Sequence, residues 1–116
     1  MQQERTDRLN QVFGAVSDPT RRAILSRLST GNSTVVNMAS EFPMSLPAVS
    51  KHIRILERAG LVARKIEGRT HHLHLNAAPM QEALQWMEYY RKFWDRKLDA
   101  LEDFLKEENK NDRNKK

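Results

Sequence analysis

Apolar residues recur along this chain at helical spacing, then at strand spacing, then at helical spacing again. Leu9, Val12, Phe13 and Val16 fall at i, i+3, i+4 and i+7, which predicts a first helix over residues 7–16. Ser17-Asp18-Pro19 breaks that pattern, and Asp18 ahead of Pro19 is a start signal for a second helix reaching about residue 29. Ala23, Ile24, Leu25 and Leu28 are its expected inward residues, with Arg21, Arg22 and Arg27 outward or flanking. Gly31-Asn32 reads as a turn. Ser33 or Thr34 then caps a short third helix through Val35, Met38, Ala39 and Phe42. Beyond the bend at Phe42-Pro43-Met44, residues 45–59 predict a fourth helix with two faces. Val49, Ile53 and Leu56 form the apolar face; Ser50, Lys51, Arg54 and Arg58 occupy the rest. Ser45 is its N-cap, Pro47 sits in the first turn where a missing N–H costs little, and Gly60 ends it.

After Gly60 the period changes. Residues 61–66 read as a strand, Glu67-Gly68-Arg69 as a hairpin turn, and residues 70–76 as a second strand. Alternation there puts His71, Leu73 and Leu75 on one face and His72, His74 and Asn76 on the other. A long last helix follows over residues 80–108. Met80, Leu84, Met87, Trp94, Leu98, Leu101 and Leu105 make one seam, broadened by Trp86, Tyr90, Phe93 and Phe104. That apolar face is wider and longer than a small domain can cover. It calls for a partner helix, most economically the same helix of a second copy in a two-fold dimer. The expected interface residues are Leu9, Phe13, Leu84, Met87, Tyr90, Trp94, Leu98, Leu101 and Leu105. The alternative is a monomer whose last helix folds back over its own domain.

The fold class these elements predict is mainly α with a small β-hairpin: a winged helix-turn-helix with a long C-terminal dimerisation helix. The 116 residues make one domain by size, over residues 1–108, with residues 109–116 expected as a disordered charged tail. There is no cysteine, so disulfides, thiolate metal sites and cysteine nucleophiles are excluded. No signal peptide is visible at the polar start. No apolar run approaches the roughly 18 residues of a membrane span, so the expected location is cytoplasmic.

Net charge is +5, and its distribution matters more than its total. Residues 1–44 hold 5 basic and 4 acidic side chains, residues 45–79 hold 6 and 2, and residues 80–108 hold 5 and 8. All 4 histidines, His52, His71, His72 and His74, lie in the middle segment. Positive charge concentrated on the fourth helix and the hairpin suits a polyanion-binding surface. A helix that opens with small residues and hydroxyls and continues with Lys, His and Arg suits a DNA major groove. The expected DNA-binding residues are Ser45, Leu46, Pro47, Ala48, Ser50, Lys51, His52, Arg54, Arg69 and Thr70. Leu46, Ala48, Ser50 and Lys51 face bases; Ser45, His52, Arg54 and Arg69 mostly hold phosphates, with the core edge as the other placement for His52 and a minor groove as the other for Arg69.

With these residues in view, the chain resembles the ArsR family of bacterial winged-helix transcriptional repressors. The likeness rests on residues 17–25 (SDPTRRAIL), residues 45–52 (SLPAVSKH), residues 56–62 (LERAGLV) and Gly68-Arg69, and spans about residues 9–105. It implies a dimer, a recognition helix at residues 45–59, a wing at residues 64–75, and repression by covering a promoter. The aromatic run from Trp86 to Trp94 looks like the metal-independent subgroup, whose members are often encoded beside a small hydrophobic-ligand-binding protein. Where the family's arsenic, lead and cadmium sensors place cysteines, this chain has Thr34-Val35-Val36-Asn37. Where its zinc and nickel sensors place Asp and His ligands, the last helix has no histidine.

Other chemistry is poorly supported by the residues. His72 and His74 share a strand face, but zinc takes three or four ligands and only Glu67 lies near, so no metal site and no cofactor are expected. The wing histidines are read as solvated or phosphate-facing. No glycine-rich phosphate loop, nucleophile–base pair or facing carboxylate pair is present, so no enzyme is expected. Trp86, Tyr89, Tyr90, Phe93 and Trp94 are read as interface packing, with an effector pocket at the seam as a second reading. The expected partners are double-stranded DNA and a second copy, with no membrane and with any small-molecule effector unknown. The rival functions are a protein-interaction module working through the long helix, and a ligand-sensing repressor with its effector at the seam or the wing histidines.

Overall fold

The computed structural model describes residues 2–114. They form α1 (Gln2–Val16), α2 (Pro19–Ser29), β1 (Ser33–Thr34), α3 (Val35–Ser40), α4 (Leu46–Arg58), β2 (Val62–Glu67), β3 (Thr70–Leu75) and α5 (Ala78–Asn114). The chain divides into two units, one ending at Ala83 and one starting at Leu84. The first is a winged helix-turn-helix; the second is the remainder of α5.

Each short helix starts from a side-chain oxygen that accepts a backbone N–H of the first turn. Asp18 accepts from Arg21 N at 3.1 Å, Thr34 from Asn37 N at 3.1 Å, and Ser45 from Ala48 N at 3.3 Å. Thr34 is therefore the cap of α3, while Ser33 is buried. Helix α1 begins at Gln2 rather than residue 7, because nothing in the polar stretch before Asp7 breaks a helix. Its partners across the unit are electrostatic as well as apolar. Arg8 donates to both oxygens of Glu82, at 3.1 and 3.3 Å, which holds the Glu82 carboxyl below the ordinary carboxylate range.

Val12, Ile24, Met38, Val49, Ile53, Leu56, Leu61 and Leu73 fill the core of the first unit. Ala23, expected inward, is exposed; Ile24 and Leu28 carry the buried side of α2. The sheet has the order β1-β3-β2, all antiparallel. Strand β1 pairs Ser33 with Leu73 and Thr34 with His72, a third strand beyond the expected hairpin. Two residues are too few to show a period, so only the tertiary pairing reveals it. Glu67 pairs with Thr70, leaving Gly68-Arg69 as a two-residue turn in which Gly68 takes φ 63°. Leu73 is buried, but Leu75, expected beside it, is exposed at the strand end.

At the end of α4, Gly60 takes φ 77° and donates to Glu57 O, while Leu61 N donates to Leu56 O. Only glycine adopts that conformation without strain. A Cβ there would also sit 3.2 Å from Pro79 Cγ.

Helix α5 continues through Asn114, past the expected end at residue 108, because the sequence beyond Glu108 holds no glycine or proline. The last part of the expected charged tail, residues 115 and 116, lies outside the described residues.

Ile53 is fully buried beneath α4. Ile53→Ala is expected to cost about 2–5 kcal/mol, read as a lower urea midpoint at unchanged slope. A loss under about 1 kcal/mol would mean that α4 is not seated through this residue.

Candidate nucleic-acid interface

With Val49, Ile53 and Leu56 buried, the rotation of α4 is determined. Lys51, Arg54 and Arg58 are exposed on its outer side, and Ser45, Leu46 and Pro47 are exposed at its start. Lys51, Arg54, Arg58 and Arg69 make no ion pair among the described residues. Arg69 and Thr70 are exposed at the tip of the wing formed by β2 and β3. Of the four expected base-facing residues, Lys51 is on that outer side and the other three divide between two flanks of α4. Leu46 and Ser50 lie on the side toward the wing, and half-buried Ala48 lies one turn before His52 on the side toward α2.

His52 sits at the edge of the core, one of the two placements expected for it. Its side chain is 22% exposed, and its Nδ1 accepts from Arg21 NH1 at 3.2 Å and lies 3.9 Å from Asp18 Oδ2. Arg21 also donates through Nε to Ala15 O at 2.7 Å and through NH2 to Gly14 O at 3.1 Å. Arg22 NH1 donates to Val16 O at 2.8 Å. These contacts satisfy carbonyls left over at the end of α1. The residues Asp18, Arg21 and Arg22 therefore tie α1 to α2, and Arg21 links both to α4 through His52. His52 is a positioning residue on a flank occupied by α2, away from the outer face where Lys51 and Arg54 stand. The Arg21 N–H bond holds the Asp18 carboxyl below the ordinary carboxylate range, and the nearby His52 and Arg21 add to the effect.

On the other flank, Arg64 of β2 meets Glu57 of α4 through two contacts, NH2 to Oε1 at 2.7 Å and Nε to Oε2 at 3.3 Å. A two-point guanidinium–carboxylate pair fixes direction as well as distance. Arg64 NH1 also donates to His71 Nδ1 at 2.9 Å. The wing is thus clamped to α4 through a cation that the sequence presents only as part of a basic cluster.

Between α3, the start of α4 and the wing lies an open concavity of about 400 Å³. Thr34, Val36, Leu46, Ser50, Arg69 and Thr70 are among its lining residues. Thr34 and Val36 were absent from the sequence-derived site; they reach it because β1 pairs with β3, which brings the start of α3 beside the wing.

The wing histidines do not converge. His71 faces Arg64, His72 Nε2 lies 3.6 Å from Glu67 Oε2, and His74 is exposed. No group of three potential metal-ligating side chains occurs among the described residues.

The expected interface residues also divide. Leu9 is 8% exposed and belongs to the core of the first unit, and Phe13 packs against that core. Leu84, Met87, Tyr90, Trp94, Leu98, Leu101 and Leu105 are all exposed along α5. The Trp86 and Tyr90 rings lie 4.4 Å apart between centroids, tilted by 41°, and Lys97 Nζ lies 5.5 Å over the Phe93 ring.

A helix-turn-helix domain model matches residues 16–65. The transcriptional repressor SdpR of Bacillus subtilis is 38% identical over 79 residues, which are 68% of this chain and 88% of that protein. A crystal structure of an ArsR family transcriptional regulator, RHA00566, superposes with a TM-score of 0.73 at 37% identity, covering 78% of this chain and 93% of that one. A homodimeric winged helix-turn-helix DNA-binding domain from Mycobacterium bovis shares the fold at a TM-score of 0.59 and 22% identity, covering 82% of this chain and 85% of its own.

The depressed Asp18 carboxyl contributes stability in its charged form, above the unfolded value of about 3.9, and that contribution is lost as pH falls through the folded value. Asp18→Asn keeps a capping oxygen and removes the charge. The gap in urea midpoint between the parent and this variant is expected to hold from about pH 7 to about pH 5 and to close below about pH 4. A gap that persists unchanged in acid would mean that the charge does not stabilise this junction.

Proposed function

The chain belongs to the ArsR family of winged helix-turn-helix transcriptional regulators, and we propose that it acts as a homodimeric, sequence-specific repressor on an inverted-repeat operator. The observation that carries this reading is the outer side of α4. There Lys51 and Arg54 stand exposed and without ion pairs among the described residues, on a helix whose opposite side is buried, and Arg69 is exposed at the wing tip. Each α4 enters a major groove; Leu46, Ser50 and Lys51 face base edges, while Ser45, Pro47, Arg54, Arg69 and Thr70 lie along the sugar–phosphate strands. Ala48 and His52 set the seating of the helix from its other flank. Two-fold symmetry places the half-sites about one helical turn apart or a multiple of it.

The exposed apolar length of α5 supports the homodimer. Leu84, Met87, Trp94, Leu98, Leu101 and Leu105 repeat at steps of mostly three and four, which is the seam one helix offers another. The M. bovis domain of the same fold is a homodimer. We place the protein in the metal-independent subgroup: α3 opens Val35-Val36-Asn37 and α5 holds no histidine, so neither inherited metal site has its ligands. It is not an enzyme, it works in the cytoplasm, and no helix among the described residues is long and apolar enough to cross a membrane.

A salt-dependent titration against the protein's own upstream promoter and a scrambled duplex tests the reading. Tight binding to the promoter alone, weakening steeply with salt, is expected. Equal weak binding to both duplexes would favour the protein-interaction reading of α5. Lys51→Ala is expected to cost about 1–3 kcal/mol on the operator and less on random DNA. An equal loss on both would leave Lys51 a phosphate contact. Leu98→Asp is expected to shift the protein toward monomer in sedimentation equilibrium and to weaken operator binding with it; a variant that stays dimeric would overturn the seam.

A further inference from the structure

Two large aliphatic side chains stand in water on the face assigned to DNA. Val36 of α3 is 69% exposed and Leu46 of α4 is 48% exposed, although the core beneath them is well filled. They come from different helices and line the same concavity, together with Ser50, Arg69 and Thr70. Neither position is loose. Thr34 caps α3 two residues before Val36, and Ser45 caps α4 immediately before Leu46, with Pro47 in the same first turn. An aliphatic pair held in place at this point has little to gain from a phosphate, whose hydration it would only displace.

We infer that Leu46, with Val36 beside it, recognises the 5-methyl group of thymine in the major groove. The inference rests on the DNA-binding function proposed above and names one feature of the operator. Among the base edges of the major groove only thymine presents a methyl group; the others present donors or acceptors that an aliphatic wall would leave unsatisfied. The exposed cations set the register. Arg54 on the outer side of α4 and Arg69 at the wing tip hold the strands, which leaves the start of α4 at the base edges rather than at the backbone. Ser50, one turn after Leu46, lines the same concavity and offers a hydroxyl to the neighbouring base.

The test uses the full chain and an operator isolated from a random duplex pool. Each thymine in one half-site is replaced singly by deoxyuridine, which removes the methyl and keeps the pairing edge, and binding is followed by fluorescence anisotropy. One or two replacements are expected to weaken the parent about fourfold, the weight of one buried methyl-sized group, and to leave Leu46→Ala unaffected. Val36→Thr, close in shape, is expected to reduce the same response. Deoxyuridine duplexes that all bind as tightly as their thymine parents would overturn the inference while the DNA reading stands. So would a methyl effect that persists undiminished in both variants. Failure of any sequence to enrich from the pool would overturn both.

Discussion

The seating of Val49, Ile53 and Leu56 in the core is the constraint on which the rest of the first unit depends. A helix has about 3.6 residues per turn, so burying one stripe decides where every other side chain stands. Once these three are inside, Lys51, Arg54 and Arg58 are outside, Leu46 and Ser50 turn toward the wing, and Ala48 and His52 turn toward α2. Functional direction is thus a consequence of core packing. The polar face needs only to remain solvated.

Packing sets the rotation of α4, and two arginines set what lies on either side of it. Arg21 collects Gly14 O, Ala15 O and His52 Nδ1; Arg64 collects Glu57 and His71. Exposed ion pairs contribute little to stability, but a guanidinium fork with several partly buried acceptors restricts orientation. The strongly basic middle segment is therefore not all available to a polyanion. Arg64 is spent on Glu57, and Lys65 lies 3.2 Å from Glu67, whereas Lys51, Arg54, Arg58 and Arg69 remain exposed.

Helix α5 is governed by the opposite condition. Beyond Ala83, which is buried, the apolar side chains from Leu84 to Leu105 are exposed, and α5 carries charged residues on its remaining surface. An apolar stripe of that length on one helix is unfavourable in water, and the charges of both signs around it do not cover it.

The helices, the hairpin and their order were legible in the sequence, because apolar period, capping residues and turn glycines are local signals. Asp18-Pro19, Ser45 with Pro47, Gly60 and Gly68 each mark a boundary that the structure places within a residue or two. So were the outer cations of α4, since they follow from the buried stripe by geometry alone. The tertiary structure decided what sequence distance conceals. Arg21 and His52, 31 residues apart, meet only in the folded unit. A two-residue strand with no period of its own brought Val36 and Thr34 to the wing. Leu9 went to the core although its helical spacing matched an interface equally well. A local pattern says which face of an element is apolar; which neighbour meets that face, and which charges meet each other, is settled only when distant segments compete for the same space.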